Sequence, residues 1–309
     1  MKYFELDTQS HFEEKNLCLA IGNFDGFHKG HIEILNSLKK IANKKKQPSA
    51  IMSFNPHPRN FFDKKKENFN IYSKSDKINF LKKFGINFFI EFTFDKNLSE
   101  LSANQFVENI LINKLNIKNV VVGKDFKFGK DRSGNFKILE NYSKDNYLNL
   151  HLVQSKMLKD GSDKYSSSII RDNIRNGEME KVNSALGRCW HMTGKIIEGD
   201  KRARKINFPT ANVIPGKHIL PRKGVYCVAA YINNEKYLGI SNFGERPTVD
   251  GSKLLLETHI FNFNQEIYGN ELTVQFLTFI RPEQKFANFD ELAKQIKIDI
   301  ETAKKYHNI

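Results

Sequence analysis

The apolar run LCLAI at residues 17–21 leads directly into GNFDGFHKGHIEILNSL at residues 22–38, an order that suits a buried strand, a glycine turn and a helix. Five apolar residues suffice for one strand, and Ile32, Leu35 and Leu38 then recur at helical spacing. Gly22 and Gly26 free the backbone to turn, and Gly30 removes a side chain where the helix begins and a ligand could approach. His28 and His31 bracket that opening. A helix start carries unpaired N–H groups and partial positive charge, so it draws anions, and two imidazoles three residues apart can reach the same one. The stretch predicts an anion site of triphosphate type. Structural histidines are the plainer alternative, and a metal pair is a third, although no neighbouring Cys, Asp or Glu completes a conventional ligand set.

At 309 residues the chain exceeds what one core usually supports, which predicts two domains. No apolar run is long enough for a membrane helix, and no signal-like segment opens the chain, so a cytoplasmic protein without membrane partners is expected. Cys18, Cys189 and Cys227 are widely spaced and odd in number, which argues against a disulfide framework or a zinc knuckle. The formal net charge of +14 would suit nucleic acid. The excess, however, is lysine in short groups such as Lys44, Lys45, Lys46 and Lys64, Lys65, Lys66, without interleaved aromatics. These read as solvated faces, and no nucleic-acid partner is expected. Oligomeric state is not legible.

In the first half, strands alternate with helices. The first helix should run to about Ala42; SAIMSF at 49–54 is a second strand, stopped by Asn55, Pro56, His57, Pro58, whose prolines predict an extended loop. A helix fits 76–84 with Gly85 as its stop, and strands fit 86–92, 119–123 and 149–153. Ser102 with Gln105 forms a capping-box pattern ahead of Phe106, Ile110 and Leu111. Residues 1–16 carry no strong pattern. The result is a parallel, doubly wound sheet with ligands at its carboxyl edge. That edge gathers the histidine turn, the proline loop with Phe61 and Phe62, and the loop at 123–129. Aromatics there suit a planar ring, although core packing of Phe62, Phe106 and Phe128 is the simpler reading. Ser166, Ser167 and Ser168 would cap a later helix presenting Arg171, either a second anion pocket or a capped helix with a surface arginine.

From about Trp190 the pattern changes to short strands at 191–198, 224–232, 237–242, 254–263 and 272–280, which predicts a small antiparallel barrel. A last helix near 288–306 would cover it with Phe289, Leu292, Ile296 and Ile300. The expected domains are therefore 1–186 and 187–309. In the second, Thr210 and Asn212 of PTAN can face one hard cation bridging phosphates, behind a basic loop at 194–207. Glu257 is an acid in an apolar strand, suited to a general base or simply facing outward.

These motifs, taken together, resemble the bacterial bifunctional riboflavin kinase and FAD synthetase family along nearly the whole chain. GNFDGFHKGH is similar to the family's nucleotidyltransferase element G-x-F-D-x-x-H-x-G-H, SFNPHP to T-F-x-P-H-P, and VVGKDFKFGKDRSGN to V-V-G-x-D-F-x-F-G-x-x-R-x-G. YSSSIIR resembles S-S-T-x-I-R with Ser168 for threonine; RKINFPTAN, NFGERPT, ETHIFNF, YGNEL and FIRPEQKF resemble the kinase elements. Ala203 and Asn207 stand where that family has glycine. The resemblance implies a Rossmann-like FMN adenylyltransferase domain followed by a riboflavin kinase barrel, with ATP, riboflavin and FMN as substrates and Mg²⁺ as cofactor. It implies ATP binding in the first domain by Gly22, Phe24, Asp25, His28, Gly30, His31, Ser167, Ser168 and Arg171. It also implies FMN binding there by Pro56, Pro58, Phe62, Asp125 and Phe128. In the barrel it implies substrate contacts from Gly194, Gly199, Arg204, Pro209, Asn242, Arg246, Thr248 and Arg281. Thr210 and Asn212 would hold the metal, with Glu257 as base. The alternatives are a synthetase whose barrel only binds flavin, transfer of AMP to another acceptor, and a basic binding module.

Overall fold

The computed structural model describes residues 1–63, 69–154, 165–198, 208–248 and 251–309, without the side chains of residues 247, 248, 251 and 252. It forms two compact units, Met1–Ser167 and Ser168–Ile309.

Six strands build the first unit: β1 (Lys2–Leu6), β2 (Cys18–Ile21), β3 (Ser49–Asn55), β4 (Phe88–Thr93), β5 (Asn119–Gly123) and β6 (Asn149–Val153). They lie in the order β1-β4-β3-β2-β5-β6, and every pairing is parallel. The chain leaves β2 toward one edge and returns to its other side at β5, so the switch point of the sheet lies between those two strands. Leu19, Ile21, Val120 and Val122 enter one core, while Cys18, Ala20 and Val121 enter the other. With both faces covered, the strands read as unbroken apolar runs rather than alternating ones.

Helix α1 (Lys29–Lys45) buries Leu35, Leu38 and Ala42 and ends at Lys46 in the left-handed conformation. The proline loop is tighter than expected: Asn55–Pro56 is cis, and Pro58 is the first residue of a short helix, α2 (Pro58–Phe62). Proline suits that position because a helix start leaves its N–H unused. Helix α3 (Lys74–Phe84) begins with a Ser73/Asp76 capping box and stops at Gly85. After α4 (Lys96–Glu100), the Ser102/Gln105 box starts α5 (Ala103–Gln105), which continues with π-helical spacing over Phe106–Lys114. The sixth helix, α6 (Phe136–Lys144), completes this unit. β1 is a departure from expectation, since KYFEL carries its charges and polar residues on an edge strand, where one side needs no apolar cover.

The chain continues through α7 (Ser167–Asn176) and α8 (Met179–Leu186) into a closed barrel. Its strands are β7 (His191–Ile197), β8 (Ala211–Val213), β9 (Gly224–Ile232), β10 (Glu235–Thr248), β11 (Gly251–Ile260) and β12 (Glu271–Pro282). All neighbours are antiparallel, in the order β10-β11-β8-β7-β12-β9. Five of the six were expected; β8 is only three residues long and was hidden within the PTAN stretch. Phe243, Leu256, Val213 and Ile196 stand opposite one another across four strands and are all buried. The last helix, α9 (Phe289–His307), covers the barrel with Ile296, Ile300 and Ala303; Phe289, expected on that face, is 58% exposed.

Candidate functional sites

The turn after β2 is held from several directions. His28 has extended backbone and caps α1, its Nδ1 accepting the His31 N–H at 3.3 Å. An Nδ1 that accepts carries no proton, which places the ring proton on Nε2. The two imidazoles stack with centroids 3.7 Å apart and planes 18° from parallel, and the Phe24 ring lies 5.3 Å from that of His31. A Cβ on Gly30 would come within 3.1 Å of the His28 ring. The glycine therefore provides room for that ring, in addition to any ligand.

Phe24 and Phe27 both adopt positive φ, 45° and 44°, while their side chains are buried. Packing holds two bulky residues in a conformation that costs of order 1–3 kcal/mol each. Gly26 takes φ of 89°, where a Cβ would also approach Ile71 to 2.9 Å. Asp25 holds the turn together. Its carboxylate is fully buried and accepts the Ile71 N–H at 2.9 and 3.2 Å, while its carbonyl accepts the Ser167 hydroxyl at 2.7 Å. It pins the turn to two other segments. Gly22 lies beside the Phe24 ring, which a Cβ would meet at 3.3 Å. Ser168 and Arg171 stand on α7, and Arg171 is 3% exposed, so it is not a surface arginine.

Because β3, β2 and β5 are adjacent and parallel, the proline loop, the histidine turn and the 123–129 loop emerge at one edge. Pro56 and Asp125 are exposed and Pro58 is half-buried. Phe62 is 71% exposed, its ring edge-on to Phe61 and Phe94 at 5.2 and 5.9 Å. It is not a core residue. Phe128 is: it is buried against Phe106 and stacked on Phe126, with centroids 5.5 and 5.3 Å away. Its packing is the core reading of this ring that the sequence also allowed. Phe126, half-buried on top of it, was not singled out in the sequence.

The barrel assembles its polar groups by register. Asn242 stands opposite Glu257, and Glu257 opposite Asn212, so residues from three strands share one face. Asn212 is buried, and its Oδ1 has no hydrogen-bond partner among the described residues. Such an oxygen is costly unless something fills its place. Thr210 precedes β8 by one residue, and the Pro209 carbonyl accepts from His259 Nδ1 at 2.9 Å. Arg246 donates to Glu257 Oε2 from Nε at 2.8 Å and again from Nη2, and its Nη1 lies 3.7 Å from Glu283. Burial opposes the guanidinium charge, but the Glu257 hydrogen bonds and the two carboxylates hold its pKa above the ordinary arginine value.

Glu283 was not anticipated; it also accepts from Asn242 Nδ2 at 3.3 Å. Gly194 serves packing, since a Cβ there would press Val213 at 2.5 Å. Arg281 is engaged within the unit. Its guanidinium is forked onto buried Asp299 of α9, with Nε–Oδ1 at 2.9 Å and Nη2–Oδ2 at 2.7 Å. It ties helix to barrel. Gly199 and Arg204 lie outside the described residues, as does the side chain of Thr248.

Two hard oxygen donors, Thr210 Oγ1 and the unpartnered Asn212 Oδ1, suit Mg²⁺, which takes few protein ligands and completes its shell with phosphate and water. Among the described residues no three His, Cys, Asp or Glu side chains are placed to hold a metal.

Fold and sites define a class: a nucleotidyltransferase sheet domain and a kinase barrel carried in one chain. Family models agree, FAD synthetase matching residues 10–169 and riboflavin kinase residues 186–307. The bifunctional riboflavin kinase/FMN adenylyltransferase of Haemophilus influenzae is 38% identical, with 94% of each chain covered. That of Bacillus subtilis is 36% identical over 95% of this chain and 93% of its own. A Streptococcus pneumoniae crystal structure described as a macrolide-efflux protein superposes with a TM-score of 0.86 at 28% identity, covering 98% of each chain. Among the described residues here, no helix is long and apolar enough to cross a membrane. The chain belongs to the bifunctional riboflavin kinase/FMN adenylyltransferase family, and it is an enzyme with both domains.

Proposed function

We propose that the chain converts riboflavin to FMN in the barrel and FMN to FAD on the sheet domain, using one ATP for each step in the cytoplasm. The observation that carries the first step is the Asn212–Glu257–Asn242 row. Glu257 takes the proton of the riboflavin 5′-hydroxyl as that oxygen attacks the γ-phosphorus of ATP; ADP departs and FMN remains. Thr210 and Asn212 would hold Mg²⁺, which offsets charge on the transferring phosphates. Pro209 sets the approach to that pair.

In the second step the FMN phosphate is already ionised and attacks the α-phosphorus of the second ATP, releasing pyrophosphate. No general base is needed. Catalysis is alignment and charge stabilisation, with His28, His31 and the first N–H groups of α1 facing the phosphates. Pro56, Pro58, Asp125 and exposed Phe62 form the face for the isoalloxazine. Residues 1–186 and 187–309 divide the labour.

The test is separation of riboflavin, FMN and FAD after incubation with ATP and Mg²⁺. His28→Ala with His31→Ala should stop FAD formation and leave FMN formation, whereas Glu257→Ala should do the reverse, provided FMN is supplied. Loss of both activities in either well-folded variant would refute the division.

A further inference from the structure

Two nitrogens of Arg246 donate to Oε2 of Glu257, so that oxygen has no lone pair left for a proton while the guanidinium stays in place. A second carboxylate is within reach of the same guanidinium: Glu283 Oε1 lies 3.7 Å from Arg246 Nη1. The position of Glu283 is itself built. Asn242 donates to it at 3.3 Å, and Gly244 leaves the space its carboxylate fills, since a Cβ on Gly244 would overlap that group. Gly244 has no positive φ, so its lack of a side chain serves space and not backbone conformation. Among the described residues, Glu257 and Glu283 are the carboxylates paired with Arg246.

We propose that Glu283 is a positioning residue of the kinase site, drawing the Arg246 guanidinium off Glu257 so that the freed carboxylate can take the substrate hydroxyl proton. Arg246 exchanges between two acceptors that flank the same guanidinium, which keeps its half-exposed charge paired throughout. No atom is consumed by the exchange; the proton passes from the hydroxyl to Glu257 as the phosphoryl group moves and ADP leaves. The inference rests on Glu257 being the base.

The test is a double-mutant cycle on riboflavin phosphorylation by the full chain, with kcat and both KM values measured. Glu283→Gln keeps shape and removes the charge. It should lower kcat about tenfold while moving the KM of riboflavin and of ATP less than about threefold. Gly244→Ala, which displaces the same carboxylate, should reproduce that split. In an Arg246→Gln background, Glu283→Gln should lose its effect. A kcat within about twofold of the parent for Glu283→Gln, or an equal loss with and without Arg246, overturns the proposal. Glu257→Gln separates the two ideas. If it abolishes phosphorylation while Glu283→Gln does nothing, only the positioning role fails; if Glu257→Gln remains active, the base assignment fails and the proposal with it.

Discussion

Arg281 lies in a motif that implies substrate binding, yet its guanidinium is spent on Asp299 of α9, and the energetic consequence can be worked out. Asp299 is 2% exposed and receives both prongs of the fork. Arg281→Met would leave that carboxylate with the Gln295 Nε2 donor at 2.9 Å as its remaining side-chain contact among the described residues. Removing one partner of a buried pair costs about 3–5 kcal/mol, because the other charge is left without compensation. With a urea slope of about 2 kcal/mol/M for a unit of this size, the unfolding midpoint should fall by about 2 M. The assay is built in. Trp190 is the single tryptophan, it is fully buried, and it packs on Phe276 within the second unit, so its fluorescence reports that unit alone. Arg281→Met with Asp299→Leu should recover most of the loss, since an apolar pair of similar volume carries no stranded charge. A midpoint shift under about 0.5 M in Arg281→Met, together with a raised KM for riboflavin or ATP, would refute this reasoning and restore the motif's implication.

Two further outcomes follow from other sites. Gly30→Ala should gain up to about 1 kcal/mol in helix propensity, which the crowding of His28 and its cap offsets by a similar amount. The thermal midpoint should then stay within about 5 °C, while FAD formation falls because the imidazole has moved; unchanged FAD formation would show that the ring's placement is not critical. Burial holds His259 and His307 below the ordinary histidine pKa, their backbone hydrogen bonds opposing it only in part. The unfolded chain therefore takes up these protons first, so the stability they contribute is present above about pH 6.5 and is lost as the pH falls below it. The Trp190 urea midpoint should drop between pH 7 and pH 5, and a flat profile would contradict the sign.

Most of the sheet domain is legible in the sequence because its signals are local. The strand at residues 17–21, the Ser102 cap and the Gly85 stop each act within a few residues of where they are written, whereas the Ser73 box, which starts α3 two residues ahead of the expected helix, is found only in the structure. β1 escaped because an edge strand needs apolar cover on fewer sides, and KYFEL shows too short a pattern to stand out. The proline loop was read as extended because proline at a helix start and proline in a bend look alike until the following residues are placed. Phe62 and Phe128 show the same limit from another side. Both are phenylalanines beside turn residues in expected substrate loops, and only packing separates the exposed ring from the core one.

The kinase site depends on register, which no short motif contains. β8 is three residues long, yet it places Asn212 opposite Glu257, and β10 brings Asn242 to the same row from the other side. Shifting any one pairing by one residue would send its side chain to the opposite face. The motif PTAN therefore offers an oxygen to the proposed metal only because a closed barrel fixes that strand, and Asn212 Oδ1 is buried there without a hydrogen-bond partner among the described residues. Two arginines set in similar motifs are divided by the same logic. Arg281 faces α9 and is held by a buried aspartate, whereas Arg246 of β10 reaches Glu257 on the paired strand β11. The acids on the two arginines differ in burial: the Asp299 side chain is 2% exposed and the Glu257 side chain 23%, which suits Glu257 to its proposed role as base.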